Sequence, residues 1–92
     1  MRFECDEAKN RINIRKHGID FADVEAVFER PMLTAPDLRK EYGEERWIGV
    51  GMLKTIVAVI VFVEIDEATI RIISARKATN YERQNYEKEI AD

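Results

Sequence analysis

The spacing of apolar residues changes twice along the chain, and each change predicts a new kind of element. Residues 2–5 alternate between apolar and polar, which predicts a short first strand. Asp6 is a favoured N-cap residue and Gly18 a favoured C-cap residue, so a first helix is expected over Glu7–His17. Its apolar stripe is narrow: Ala8, Ile12 and Ile14.

A second helix is predicted between Asp20, as its N-cap, and Pro31, where the helix must end. Its apolar residues recur at helical spacing and are Phe21, Val24, Val27 and Phe28. Together the two helices form an αα-hairpin. The stretch from Pro31 to Gly43 holds both prolines and several charges, which predicts a long surface loop.

From Glu44 the apolar period becomes two, as in a strand. One side of this strand carries Arg46, Ile48, Val50 and Met52, and the other carries Trp47, Gly49 and Gly51. After a tight connection, residues 55–63 are β-branched and apolar on both faces, which is typical of a central strand. Another strand is expected over residues 68–75.

A capping box predicts the start of the last helix. Thr79 and Glu82 have the spacing at which a hydroxyl and a carboxylate each accept from a backbone N–H, so the helix is expected from Asn80 to about Ile90. The resulting order is β-α-α-β-β-β-α. We therefore predict one α+β domain over residues 1–92, with a mostly antiparallel sheet and helices packed on it.

Composition narrows the class of protein. One Cys excludes an internal disulfide framework, so a reducing cytoplasm is expected. With one Cys and one His, a structural zinc site would have to recruit carboxylates, and we expect neither a metal nor a cofactor. The longest apolar run is far shorter than a membrane span, and the charged N-terminus offers no signal peptide. The net charge is −3, yet residues 71–88 carry five basic and two acidic groups, so a local positive field suited to RNA is possible.

Three blocks of sequence resemble the BrnT toxins of bacterial and archaeal toxin–antitoxin pairs. The blocks are CDEAKNRINIRKHGIDF, EERWIGVGM and RIISARKATNYERQNYE, and they cover nearly the whole chain. Cys5 stands where the family pattern is expected to have Trp. The resemblance implies a RelE-like fold, ribonuclease activity that blocks translation, and neutralisation by a BrnA antitoxin with a ribbon-helix-helix DNA-binding domain.

A metal-independent ribonuclease needs groups that move protons between the ribose 2′-hydroxyl and the leaving 5′-oxygen. His17 is the one side chain with an ordinary pKa near neutrality, although a helix-ending His that satisfies last-turn carbonyls is the simpler interpretation. Glu82 is a second candidate, but the capping box already accounts for it. Tyr81 is another titratable option.

Arginines can stabilise the charge on the phosphorane. Arg76 lies at a strand end beside a helix N-terminus, which favours an anionic ligand. For Arg46 and Arg71, contact with RNA and an internal salt bridge to a nearby glutamate are equally supported. The glutamates in reach are Glu44, Glu45 and Glu64.

Further basic residues could bind the RNA backbone. Lys77 and Arg83 flank the expected strand end and helix start. Lys9, Asn13 and Lys16 share one polar helix face, for which a solvated surface is the simpler interpretation. Among the aromatic residues, core or helix packing is favoured over base stacking for Trp47 and Tyr86.

Three functions remain open at this stage. The first is a toxin endoribonuclease whose partners are RNA, a BrnA-like antitoxin and, through the antitoxin, operator DNA. The second is a non-catalytic module that pairs with a ribbon-helix-helix protein and co-represses transcription. The third is an ordinary RNA-binding domain. The family resemblance favours the first.

Overall fold

The computed structural model describes residues 1–91. Its fold is one five-stranded sheet with helices packed on it. The strands are β1 (Arg2–Cys5), β2 (Leu33–Pro36), β3 (Trp47–Leu53), β4 (Ile56–Asp66) and β5 (Thr69–Lys77). The helices are α1 (Glu7–His17), α2 (Phe21–Val24) with a 3₁₀ helix (Glu25–Glu29) directly after it, and α3 (Asn80–Ala91).

The strands lie in the order β1-β5-β4-β3-β2, so the doubly apolar strand β4 is central, as predicted. Neighbouring pairs are antiparallel except β1, which runs parallel to β5. The α+β class and the mostly antiparallel sheet are confirmed. So are the three predicted caps, since the Asp6, Asp20 and Thr79 side chains each accept from a backbone N–H of the helix that follows.

Two predictions about the middle of the chain are wrong. The expected loop from Pro31 to Gly43 contains β2, so the order has one strand more than predicted. This strand is short and lies at the sheet edge, where the missing N–H of Pro36 is tolerated. The second helix tightens to a 3₁₀ helix after one turn, and this geometry places Val24 and Val27, three residues apart, on one side, where both are fully buried.

The main core lies between one sheet face and α2 with its 3₁₀ helix. Gly51 on β3 makes the close approach possible, because a Cβ there would lie 2.7 Å from Cγ1 of Val27. Phe28 stacks edge-on against Phe62 on β4, with ring centroids 5.0 Å apart. The half-buried Trp47 packs against the same core, which agrees with the interpretation made from sequence.

The opposite face of the sheet lies beneath α3. Every second residue of β4 points to this face, namely Val57, Val59, Val61 and Val63, and all four are buried. Tyr86 of α3 is buried as well, and its hydroxyl donates to the carbonyl of Pro31 over 3.3 Å. Tyr86 is thus a packing residue, as expected. This second face carries the arginines described below.

Helix α1 is attached to the sheet by an asparagine. The Asn13 amide donates to the carbonyl of Ile19 over 2.9 Å and accepts from the N–H of Ala75 on β5 over 3.1 Å, and Asn13 is 5% exposed. The predicted apolar stripe is wrong, since Ile12 and Ile14 are exposed, and so is the placement of Asn13 on a solvated face. The periodicity of α1 did not predict this contact, because α1 lies along the part of β5 that β1 does not pair with. The backbone N–H of Ala75 in that part has no strand partner and needs a hydrogen-bond acceptor.

We expect Asn13→Ala to destabilise the protein strongly. The change leaves the N–H of Ala75 and the carbonyl of Ile19 without partners, at about 1–3 kcal/mol for each buried group. Ile12→Ala on the same helix is the matched control, since its side chain is exposed and should cost less than about 0.5 kcal/mol. Urea unfolding of both variants measures the difference, and equal stability losses would show that α1 is held in another way.

Candidate active site

A β-bulge in β5 brings two arginines to one face of the sheet. Arg71 and Arg76 are five residues apart and would point to opposite faces of a regular strand. The pairing to β4 shifts at Ile73, because Val61 pairs with Ser74 while Phe62 pairs with Ile72. Arg71 then lies opposite Val63 and Arg76 opposite Val59, so both share the face beneath α3.

Arg76 is bound by Glu82 at the start of α3. Its two terminal nitrogens donate to the two carboxylate oxygens over 2.8 and 2.9 Å, a bidentate pair. The same carboxylate accepts from the N–H of Thr79 over 2.8 Å, which completes the predicted capping box. The Arg76 hydrogen bonds lower the pKa of Glu82 to about 2, so the carboxylate is ionised at neutral pH.

Arg46 and Arg71 are joined by a single carboxylate. Glu44 accepts from Nε of Arg46 over 3.1 Å and from a terminal nitrogen of Arg71 over 3.2 Å. The salt-bridge alternative is therefore present for both arginines. The Nε of Arg71 is buried and, among residues 1–91, has no hydrogen-bond acceptor. This second cluster lies about 13 Å along β4 from the first, since Val59 and Val63 are four residues apart.

A fourth arginine lies near Arg76 and was missed from the sequence. Arg39 lies in the segment between β2 and β3 and donates two hydrogen bonds of 2.8 Å to the buried carboxylate of Asp37. These bonds lower the pKa of Asp37 to about 2. The pKa of Arg76 is raised, chiefly by its hydrogen bonds with Glu82, and the nearby charge of Arg39 opposes this shift. The Asp-x-Arg spacing in this segment was the available signal.

The structure does not bring the remaining candidates into these clusters. His17, Lys9 and Lys16 are exposed on α1, and within residues 1–91 no hydrogen bond or ion pair joins them to the four arginines. Arg83 forms an exposed pair of 2.7 Å with Glu87, one turn along α3. Lys77 ends β5 next to Arg76 and is exposed.

The arginine face offers positive charge held in place by carboxylates. Guanidinium groups bind phosphate oxygens in the same bidentate way that they bind carboxylates, so an RNA phosphate could replace Glu44 or Glu82 as their partner. Three or more His, Cys, Asp or Glu side chains placed to hold a metal ion are not found among the residues described. Nor does any helix in the described part have the length and apolarity to cross a membrane.

The fold defines a class of small α+β protein, and comparison with known proteins agrees with it. The family model for the ribonuclease toxin BrnT of type II toxin–antitoxin systems matches residues 5–82. The crystal structure of the Brucella abortus ribonuclease toxin BrnT is similar, with a TM-score of 0.65 and 26% identity over 87% of this chain and 99% of that chain. A search of curated proteins finds no match. The chain belongs to the BrnT family of ribonuclease toxins.

Stability should depend on the ionisation of Glu82. Its pKa is about 2 in the folded protein against an ordinary 4.5, so the Arg76 pair stabilises fully above about pH 5 and is lost as pH falls toward 2. Glu82→Gln should therefore cost about 1–2 kcal/mol at neutral pH, less than the full shift because both groups are partly exposed. The cost should shrink toward pH 2.

Urea unfolding of both proteins between pH 7 and pH 2 measures this effect. Glu87→Gln is the control, because the Arg83 pair it removes is exposed on one helix and worth only about 0.3–0.5 kcal/mol. A Glu82→Gln cost that stays constant down to pH 2 would mean that the carboxylate is not stabilised by Arg76.

Proposed function

We propose that this chain is the toxin of a type II toxin–antitoxin system and cleaves RNA without a metal, thereby blocking translation. The observation that carries this proposal is the β5 bulge, which gathers Arg71 and Arg76 with Arg46 on one sheet face. Arginines gathered in this way suit a phosphodiester, whose reaction builds negative charge on the phosphoryl oxygens. The family assignment supports the ribonuclease activity, and the face supports the location.

In the proposed reaction the ribose 2′-oxygen attacks phosphorus and the 5′-oxygen leaves. The products are a 2′,3′-cyclic phosphate and a 5′-hydroxyl, and one proton passes from the 2′-hydroxyl to the leaving oxygen. Arg76 binds the phosphoryl oxygens of the scissile group, while Arg46 and Arg71, about 13 Å away along β4, hold another phosphate of the same strand. Glu44 and Glu82 keep these guanidiniums oriented before RNA arrives.

Glu82 and His17 are the two candidates for carrying the proton, and they are not equally suited to it. With a pKa of about 2, Glu82 has no proton to donate at neutral pH and is a weak base, so its part is to position Arg76. His17 has the appropriate chemistry but lies on α1 beside β5. It can act only if RNA runs from the arginine face past the edge of β5, a path along which Lys9 and Lys16 are exposed.

A BrnA-like ribbon-helix-helix antitoxin is the proposed partner, acting in the cytoplasm. Acidic side chains from this partner would compete with RNA for Lys77, Arg83 and the arginine face. Through the DNA-binding domain of the antitoxin, the complex would reach operator DNA. One observation favours the alternative of a non-catalytic, co-repressing module: Arg46, Arg71 and Arg76 each already have a carboxylate partner.

Induced expression separates these functions. We expect the wild-type chain alone to arrest growth with fragmentation of RNA, and co-expression of the antitoxin to relieve both. Arg76→Ala should lower the cleavage rate by about 10²-fold or more, as for loss of a donor to transition-state charge. Arg30→Ala, an exposed arginine outside the face, is the control and should remain toxic.

Thermal unfolding of the Arg76→Ala protein completes this test, since the change also breaks the Glu82 pair. Lost activity in a folded protein supports a role in the reaction. Activity lost only in proportion to stability would make Arg76 a structural residue. Soluble wild-type protein that leaves growth and RNA intact would favour the co-repressing module.

His17→Gln tests the proton carrier. Glutamine keeps the hydrogen-bonding capacity of the side chain but cannot take up a proton near neutral pH, so we expect the cleavage rate to fall by about 10²-fold. Cleavage of a short RNA followed from pH 5 to 8 provides the measurement. A rate and pH profile equal to those of the wild type would exclude His17 from the mechanism.

A further inference from the structure

A cavity of about 370 Å³ lies next to the arginine face and shares Glu44 and Arg46 with it. It opens between the β2–β3 segment and the start of β3. Its volume falls at the lower end of the range of small-molecule sites, about 300–1,000 Å³. The lining includes Pro36, Leu38, Tyr42, Glu45, Arg46 and Trp47, together with further charged side chains.

The wall of this cavity contains a stacked platform. The guanidinium carbon of Arg46 lies 4.0 Å from the centre of the Tyr42 ring, and the Lys40 ammonium lies 5.3 Å from it. Aromatic rings and guanidinium planes are the surfaces on which proteins stack unpaired RNA bases. Glu44 fixes the Arg46 side of the platform.

Arg46 joins this cavity to the phosphate-binding face. Its Nε donates to Glu44, which also binds Arg71, while its guanidinium plane covers Tyr42. A nucleotide whose phosphate lies at Arg71 would therefore have its base beside the platform. The cavity is also less suited to phosphate than the arginine face, since four carboxylates line it (Asp37, Glu41, Glu44 and Glu45) against two cations (Lys40 and Arg46).

Two charged side chains of the cavity, Lys40 and Glu45, form no ion pair within residues 1–91. The Lys40 ammonium lies over Tyr42 and can only donate hydrogen bonds. Glu45 is exposed and forms no ion pair with any residue of the described chain, and an ionised carboxylate can only accept. A base that presents adjacent N–H donors therefore fits best. Guanine offers its ring N–H and amino group side by side to one carboxylate, while uracil offers a single N–H between two carbonyl oxygens.

We propose that this cavity is a nucleobase subsite that stacks a base on Tyr42 and Arg46 and selects guanine over uracil through Glu45. The inference rests on the proposed ribonuclease function and names the part of the substrate that this region would recognise. It assigns Glu45 a role in specificity rather than in the chemical step.

The protein contains its own probe of this site, because Trp47 is the one tryptophan and lines the cavity. Full-length protein is titrated with 3′-GMP, 3′-UMP and inorganic phosphate while Trp47 fluorescence is followed, with free tryptophan correcting for absorption by the nucleotides. We expect saturable quenching by 3′-GMP and a Kd for 3′-UMP at least about tenfold higher, the effect of one hydrogen bond to a charged group. Phosphate alone should leave the fluorescence unchanged.

Variants locate the effect within the cavity. Glu45→Gln should remove the preference for 3′-GMP over 3′-UMP. Tyr42→Leu should weaken the binding of both nucleotides by about tenfold, because the stacking contact is lost. Glu67→Gln, an exposed glutamate in the β4–β5 turn, is the control and should bind as the wild type does. Glu45 is exposed, so its variant is expected to fold even if the Tyr42 variant does not.

Equal quenching by the two nucleotides, or by phosphate alone, would overturn the proposal. So would fluorescence that responds to the antitoxin but to neither nucleotide, since the cavity would then be a protein-docking site. Cleavage of a defined RNA distinguishes this failure from failure of the proposed function. If the protein discriminates between the nucleotides but does not cleave RNA, the subsite is supported and the ribonuclease activity is excluded. If it cleaves RNA but does not discriminate, the ribonuclease activity is supported and the subsite is excluded.

Discussion

The β-bulge at Ile73 is the constraint on which the candidate site depends. Without the extra residue, Arg71 and Arg76 would lie on opposite faces, and one of them would enter the apolar core among Ile60 and Phe62. The bulge lets β5 present apolar residues to the core on both sides of the irregularity while the two arginines share the other face. Core packing and the site are thus consequences of one local feature.

Polar contacts hold the parts of this small protein that the core does not reach. Helix α1 buries almost nothing apolar, and Asn13 joins it to β5, with Asn10 accepting from the N–H of Phe21 at the start of α2. Short ion pairs tie the arginine face together in the same way. These contacts depend strongly on geometry, and each guanidinium of the ion pairs is held by a particular carboxylate.

Each arginine of the face exchanges one anionic partner for another in the proposed function. Glu44 and Glu82 neutralise the guanidiniums within the free protein, and a phosphate or an antitoxin carboxylate would take their place. The net gain on binding is then a difference between two similar interactions. Such an exchange favours ligands that offer further contacts, which a base in the cavity next to Arg46 would supply.

The sequence by itself determined those features that depend on local periodicity and capping. They include the central position of β4 and the caps at Asp6, Gly18 and Thr79, because caps and apolar alternation depend on residues close together in the sequence. The family could also be predicted, from the three blocks of sequence that resemble it. Only the tertiary structure decided the β2 strand, the burial of Asn13 and the sharing of one face by Arg71 and Arg76. Each of these depends on pairing between distant segments: β2 with β3, α1 with β5, and the shifted register of β5 on β4.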